Sequence, residues 1–310
     1  VKALVLKSTG NLYRLCTDKG EILMANLAGK IRLELRKTTN PLVVGDNVEV
    51  EQSNDGALIT KIYPRKNYII RKSLNLSKQT HILAANIDQA YLLVTLVFPR
   101  TSTGFIDRFL VTTEAYRIPA KIIFNKIDLL DDELKKVQHQ LVNMYTSLGY
   151  ECMEISAMKN EDVTKIKNSL KNKLTLLMGH SGAGKSTLIN NIQANLGLKT
   201  GNLSAMHLKG KHTTTFSELH KLDGGGYIID TPGIKELGLV EMKKEEVGHY
   251  FPEFRKLMNQ CKFNNCTHTT EPNCAVIKAL EEGKIYEERY HNYLGILNSD
   301  ETNWTAWENK

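Results

Sequence analysis

The sequence predicts a multi-domain chain. A small β-barrel is expected over residues 1–70, an α/β domain with a mostly parallel sheet over 71–240, and a mainly helical domain over 241–310. Three observations predict it. Short alternating strands separated by turns fill the first seventy residues. Strand and helix patterns then alternate. Three of the five cysteines fall with a histidine into residues 261–274. The 310 residues suit more than one domain, at roughly 100–200 residues each.

Hydrophobic residues make up 41% and charged residues 24%, an ordinary globular balance. No apolar run approaches the roughly 18–20 residues that cross a bilayer, so no membrane partner is expected. The chain begins at Val1 rather than Met, and Lys2 and Lys7 sit in a strand-like alternation instead of a leader pattern. A cytoplasmic, monomeric protein is expected. An odd cysteine count without a leader argues against a disulfide framework. The net charge of +7 and pI near 9.0 favour an acidic partner, nucleic acid foremost, although many mildly basic proteins bind none.

In chain order, residues 3–7 and 12–16 flank the turn 8–11, and 21–27 follows the turn 18–20. Residues 48–51 and 57–63 flank 53–56. This spacing of strands and turns is that of a small barrel. Pro64 ends it, and Arg65, Lys66, Arg71 and Lys72 form a basic connector. Residues 89–98 read as one continuous apolar strand, 105–116 as a helix and 120–124 as a strand. Residues 131–148 read as a helix, with acidic residues in the first turn, helical apolar spacing and Gly149 as the stop. A strand at 150–155, a helix at 163–170, a strand at 174–178 and a helix at 185–195 follow. Residues 216–222 and 227–229 suggest a hairpin. The glycine- and lysine-rich stretch 197–212 reads as a loop. The last seventy residues read as helices around the Cys/His cluster, ending in a polar tail.

The strongest motif is Gly179-His180-Ser181-Gly182-Ala183-Gly184-Lys185-Ser186. It fits G-x-x-x-x-G-K-[ST] between a strand and a helix, the context that motif requires. The glycines let backbone N–H groups wrap around phosphates, and the helix adds its positive N-terminus. Lys185 is expected at the β- and γ-phosphates as a catalytic residue, Ser186 on Mg²⁺, and Thr187 beside the nucleotide. Asn125-Lys126-Ile127-Asp128 follows a strand and matches N-K-x-D. A carboxylate at Asp128 would accept from the two adjacent guanine N–H donors that adenine lacks. Ser156-Ala157 matches the weaker S-A guanine loop. Asp230-Thr231-Pro232-Gly233 matches D-x-x-G, with Asp230 near Mg²⁺ through water and the Gly233 N–H at the γ-phosphate. Among Thr213, Thr214 and Thr215, Thr214 is expected to close on Mg²⁺. Together these predict a GTP-binding P-loop GTPase.

The order of the motifs is rotated. N-K-I-D and S-A precede the P-loop, the threonines and D-T-P-G, which predicts a circularly permuted domain. Cuts of this kind are tolerated in exposed loops when the old termini lie close together. The segment after D-T-P-G then runs straight into the C-terminal domain. The position after Gly233 holds Ile234, which cannot orient water as a glutamine does. His212 is the local candidate for that catalytic role, against the plainer reading of a solvated loop histidine.

Cys261, Cys266, His268 and Cys274 follow C-x₄-C-x-H-x₅-C. Three thiolates and an imidazole suit one structural Zn²⁺ with no open position, whose binding would supply folding energy to a small loop. The plain alternative is three unrelated thiols.

These residues resemble the RsgA family, also called YjeQ or YloQ. The resemblance rests on Lys7-Ser8-Thr9-Gly10, N-K-I-D, residues 179–187, His212-Thr213-Thr214-Thr215, D-T-P-G, and the zinc spacing with Glu271-Pro272 before Cys274. It covers nearly the whole chain and departs at Ala183, where valine is common. It implies an OB-fold barrel, binding to the 30S subunit and 16S rRNA, GTP hydrolysis to GDP stimulated by the subunit, and a role in late small-subunit maturation. On that view the connector and Lys199, Lys209 and Lys211 are candidate rRNA phosphate contacts. A GTPase of another pathway, or an RNA-binding adaptor with negligible turnover, are the alternatives.

Overall fold

The computed structural model describes residues 1–10, 12–34, 42–53, 56–72, 80–196, 218–230 and 242–298. Five strands close the N-terminal barrel: β1 (Lys2–Thr9), β2 (Leu12–Thr17), β3 (Ile22–Leu27), β4 (Asn47–Ser53) and β5 (Gly56–Ile62). They pair in the cycle β1–β2–β3–β5–β4–β1, antiparallel except for β3–β5. A short helix α1 (Gly29–Glu34) follows β3. Alternation along each strand sends Ala3, Val5, Tyr13, Leu15, Ala25, Val48, Val50 and Ile59 into the barrel interior. Leu6 and Cys16, on the opposite faces of β1 and β2, are buried in the neighbouring α/β core.

That core surrounds six further strands in the spatial order β10 (Glu151–Glu154), β9 (Ala120–Phe124), β8 (Gln89–Val94), β11 (Leu174–Gly179), β13 (Tyr227–Asp230), β12 (Glu218–Lys221). All are parallel neighbours except β12, which is antiparallel to β13. Continuous apolar runs suit strands covered on both faces. On β8, Ala90, Leu92 and Val94 face one core and Tyr91 and Leu93 the other. The first core is closed by α2 (Thr103–Ala115) and α3 (Asp132–Ser147), through Ile106, Phe109, Leu110, Met144 and Tyr145. The second is closed by α4 (Asn160–Ser169) and α5 (Lys185–Ile192), through Val163, Ile166, Leu188, Ile189 and Ile192. Each such side chain contributes about 1.5–3 kcal/mol on full burial.

The helix ends follow local chemistry. Ser102 and Asp131 cap α2 and α3, accepting from the N–H groups of Phe105 and Leu134. Gly149, at φ 96°, turns the chain out of α3. The apolar strand expected over 89–98 stops short, at Val94. Thr95 Oγ1 donates to the Pro99 carbonyl at 2.5 Å, and the Thr101 N–H bonds the Thr95 carbonyl at 2.8 Å. A turn therefore replaces the last four of the ten expected strand residues.

The two halves share one sheet. β1 pairs antiparallel with β12, with Lys7 opposite Glu218. A hairpin of β6 (Tyr68–Lys72) and β7 (Thr80–Ala85), not anticipated from the sequence, lies across residue 70 and buries Ile69 and Ala84 in the first α/β core. The C-terminal part comprises α6 (Lys244–Val247), α7 (Pro252–Arg255), α8 (Ala275–Glu281) and α9 (Glu287–Asn298). Its aromatic core of Phe251, Phe254, Tyr290 and Tyr293 includes Val111 of α2. Among the described residues, no helix is long and apolar enough to cross a membrane.

Candidate nucleotide site and metal centre

Strand order reverses between β8 and β11. The chain runs outward through β9 and β10 and then returns to the other side of β8. A crevice opens at such a point, at the carboxyl ends of the strands. The sequence motifs are delivered to that edge: Gly179 ends β11 and 180–184 follows it, Asn125 follows β9, Ser156 and Ala157 follow β10, and Asp230 ends β13.

The loop 180–184 is a tight turn into α5. Gly184 N-caps the helix at φ 100°, and a Cβ there would lie 2.4 Å from Asn125 Nδ2. A Cβ on Gly179 would lie 2.6 Å from the Leu93 carbonyl oxygen. Both positions need glycine because backbone or a fixed amide occupies the space. Lys185 Nζ donates to the carbonyls of Gly179 and His180 at 2.5 and 2.8 Å, which folds it over the loop. Ser186 and Thr187 lie half-buried in the first turn of α5, and Ser181 and Gly182 are exposed.

Asn125 joins three of these loops. It is buried, its Nδ2 donates to the Ala183 carbonyl at 2.8 Å, and its Oδ1 accepts from the Ala157 N–H at 2.9 Å. Asn191 of α5 donates to the Ala157 carbonyl at 2.7 Å, and the Ser156 N–H bonds Asp162 at 3.0 Å. Lys126 takes a left-handed conformation at φ 65° and donates to the Phe98 carbonyl. Burial lowers its pKa, an effect the Asp128 charge opposes. Ile127 and Asp128 form a 3₁₀ turn with the Asp128 carboxylate exposed. That is the state a guanine-reading acceptor requires.

The sequence did not reveal two partners of this site. The turn after β8 brings Phe98 to Lys126 and sets Pro99 3.3 Å from the position of a Cβ on Gly182. The Phe105 ring lies 4.1 Å from that of His180, tilted by 31°, and so ties the loop to α2. The Phe-Pro pair within an apolar run was the available signal. Asp230 is described as the last residue of β13. His212, Thr213, Thr214, Thr215, Gly233, Lys199, Lys209 and Lys211 lie outside the described residues. The basic connector is partly spoken for. Arg65 makes a two-pronged contact to the buried Asp46 at 2.6 and 2.7 Å, and Lys66 pairs with Asp88. Arg65 is therefore a structural cation.

Cys261, Cys266, His268 and Cys274 place four ligand atoms within 4.8 Å of one another. Cys261 Sγ lies 4.0 Å from Cys274 Sγ and 3.7 Å from His268 Nδ1, and His268 Nδ1 lies 3.4 Å from Cys274 Sγ. Metal–ligand lengths of about 2.0–2.3 Å in a tetrahedron give edges of about 3.3–3.8 Å, so the donor set fits a metal such as zinc. Burial pushes the Cys266 thiol up to about 12, raises that of Cys274 and lowers the His268 imidazole. A divalent cation would reverse the thiol shifts by holding thiolates. Glu271 braces the loop. Burial acts to raise its carboxyl, but donors from Thr267 and Thr269 outweigh it and bring the pKa down to about 2.

Comparison with known proteins agrees with this arrangement. A family model described as RsgA GTPase matches residues 62–240. The small ribosomal subunit biogenesis GTPase RsgA of Bacteroides fragilis (strain YCH46) is 52% identical over 302 residues, 97% of each chain. The protein of that name from Flavobacterium johnsoniae is 49% identical over 97% of this chain and 94% of its own. The crystal structure of YjeQ from Thermotoga maritima superposes with a TM-score of 0.79 at 33% identity, covering 96% of each chain. That of YloQ, a circularly permuted GTPase, has a TM-score of 0.74 at 28% identity, covering 96% and 93%. With its nucleotide motifs in rotated order along one sheet edge and its relatives matched from end to end, this chain belongs to the RsgA family of circularly permuted GTPases.

Proposed function

We propose that this GTPase hydrolyses GTP to GDP and phosphate in response to the 30S ribosomal subunit, and acts in late maturation of that subunit. The observation that carries the nucleotide part is the Asn125 amide. By holding Ala183 and Ala157 together, it preorganises the phosphate loop against the guanine loop before substrate arrives. The ribosomal part rests on relatives of about half identity over nearly the whole chain, each named a small ribosomal subunit biogenesis GTPase.

In this reading Asp128 accepts from guanine, and the backbone N–H groups of 181–187 hold the phosphates. Lys185 exchanges the Gly179 and His180 carbonyls for phosphate oxygens and stabilises charge as the β–γ bond breaks. Ser186 and Thr214 would hold Mg²⁺, with Asp230 behind it and Gly233 at the γ-phosphate; the ion supplies charge neutralisation there. His212 orients the attacking water, since Ile234 has no polar group to do so. The four-ligand centre takes structural Zn²⁺. The three segments 1–70, 71–240 and 241–310 act as RNA-binding barrel, switch and zinc-stapled domain of a cytoplasmic monomer that contacts 16S rRNA.

Turnover measured with and without purified 30S subunits tests the reading. Stimulation by the subunit is expected, and His212→Ala should lower turnover more than nucleotide affinity. No hydrolysis under either condition would reduce the chain to a nucleotide-sensing adaptor. Unchanged turnover in the variant would remove His212 from the mechanism.

A further inference from the structure

The turn after β8 touches two parts of the nucleotide site that are far apart in sequence. The Phe98 carbonyl accepts from Lys126 of N-K-I-D. Pro99, one residue on, lies 3.3 Å from the position of a Cβ on Gly182 in the phosphate loop. The turn is fixed by its own threonines. Thr95 Oγ1 donates to the Pro99 carbonyl at 2.5 Å, and the Thr95 N–H donates to Thr101 Oγ1 at 3.1 Å. The packing of the fold does not account for Phe98 itself. Its φ is 39°, in the left-handed region that disfavours a bulky side chain. It is also 83% exposed, although a buried aromatic ring is among the largest contributors to a core. Backbone outliers of this kind persist where the surroundings over-determine them, and they cluster at ligand sites.

We propose that Phe98 is a binding residue whose ring covers the nucleoside part of the guanine nucleotide. The inference rests on the assignment of guanine to Lys126 and Asp128 and of the phosphates to 181–187. A nucleotide carries its base at one end and its phosphates at the other, with the ribose between them. The Phe98–Pro99 peptide makes the same span, from the base-reading lysine to the phosphate loop. The ribose and the adjoining face of the base therefore fall beside Phe98. A phenyl ring offers those groups apolar surface and a π-face, and such contacts accept any base. Selectivity for guanine stays with the Asp128 carboxylate, which is exposed. Cover over the base excludes water that competes for that carboxylate, and hydrogen bonds strengthen as the local dielectric falls. The carbonyl that holds Lys126 belongs to the residue that carries the ring, so lysine and ring are set together.

The test is the affinity of the full-length protein for GDP with Mg²⁺, measured by calorimetry beside unfolding in urea. F98A is expected to weaken GDP binding by about ten-fold, within the range of one base–aromatic contact. Its unfolding should match the wild type, because an exposed ring takes little from the core when removed. F98G removes the ring and relaxes the left-handed backbone, so it should lose GDP affinity to the same degree without unfolding more easily. F98W keeps an aromatic face and should bind GDP within about two-fold of the wild type. With GTP and 30S subunits, F98A should raise KM and leave kcat unchanged, as loss of uniform binding does. Wild-type GDP affinity in F98A overturns the proposal. So does wild-type affinity in F98G beside a loss in F98A, which would assign the loss to the turn. A loss in F98W as large as that in F98A overturns it too. If F98A does not fold, F98G and F98W decide by the same readout. A wild type that binds no GDP overturns the nucleotide assignment and this proposal together. Failure of 30S subunits to stimulate the wild type would overturn the functional reading alone, and the GDP arm would still decide this one.

Discussion

One amide, that of Asn125, does at the scale of a single residue what the nucleotide site most needs. Its two polar atoms are committed to two different loops, to Ala183 at 2.8 Å and Ala157 at 2.9 Å. The space it leaves requires glycine at 184. Replacing it with alanine strands a buried carbonyl and a buried N–H, at roughly 1–3 kcal/mol for each group left unpaired. Asn125→Ala is therefore expected to lower unfolding free energy in urea by that order and to weaken GDP binding. Wild-type stability would show that water replaces both bonds. Residue chemistry also separates cations that look alike in sequence. Arg65, in a basic stretch, is held by the buried Asp46 and is not available to an RNA phosphate.

Elements deliver these residues. β11 ends where the phosphate loop begins, and α5 starts on Lys185. A strand-to-helix turn thus presents the loop's N–H groups at the crevice. The segment 261–274 has little regular structure of its own, and its order comes from the ligand cluster, the Glu271 carboxylate and the Tyr290 and Tyr293 hydroxyls that bond the His268 and Thr267 carbonyls. Zinc should therefore hold this element together. Chelation is expected to make Cys261, Cys266 and Cys274 reactive to a thiol probe, while Cys16, sealed between barrel and sheet, stays protected. Labelling unaffected by the chelator would reject the metal centre.

At the scale of the whole molecule, α2 is the common beam. Phe105 at its first turn packs against the His180 ring of the phosphate loop. Asp107, two residues further on, bonds Arg289 of α9 at 2.6 Å, and Asn292 and Tyr145 also donate to it. Arg289 is fully buried and also bonds Glu253 at 2.8 and 3.1 Å. Burial acts to lower its pKa, but the two carboxylates outweigh this and hold the guanidinium charged. Arg289→Met leaves those carboxylates buried without a counter-charge, which costs about 3–5 kcal/mol when one partner of a buried pair is removed. Denaturant unfolding of the variant measures it, and a loss below about 1 kcal/mol would mean that the contact relaxes in solution.

The sequence by itself determined the parts whose chemistry is local. Gly179 to Ser186, Asn125 to Asp128 and the Cys/His spacing each act through neighbours a few residues away, so their patterns survive in one dimension. The rotation of motif order was legible for the same reason. Tertiary structure alone decided what depends on distant partners. The apolar run 89–98 reads as one strand until the Thr95–Pro99 and Thr101–Thr95 bonds bend it. Arg289 looks like a surface cation until Asp107, 182 residues away, encloses it. Glu218 meets Lys7 only when the sheet sets β12 beside β1. Side-chain charge and size are written in the sequence; which charges share a face depends on strand register, and register is set by the packing of the whole core.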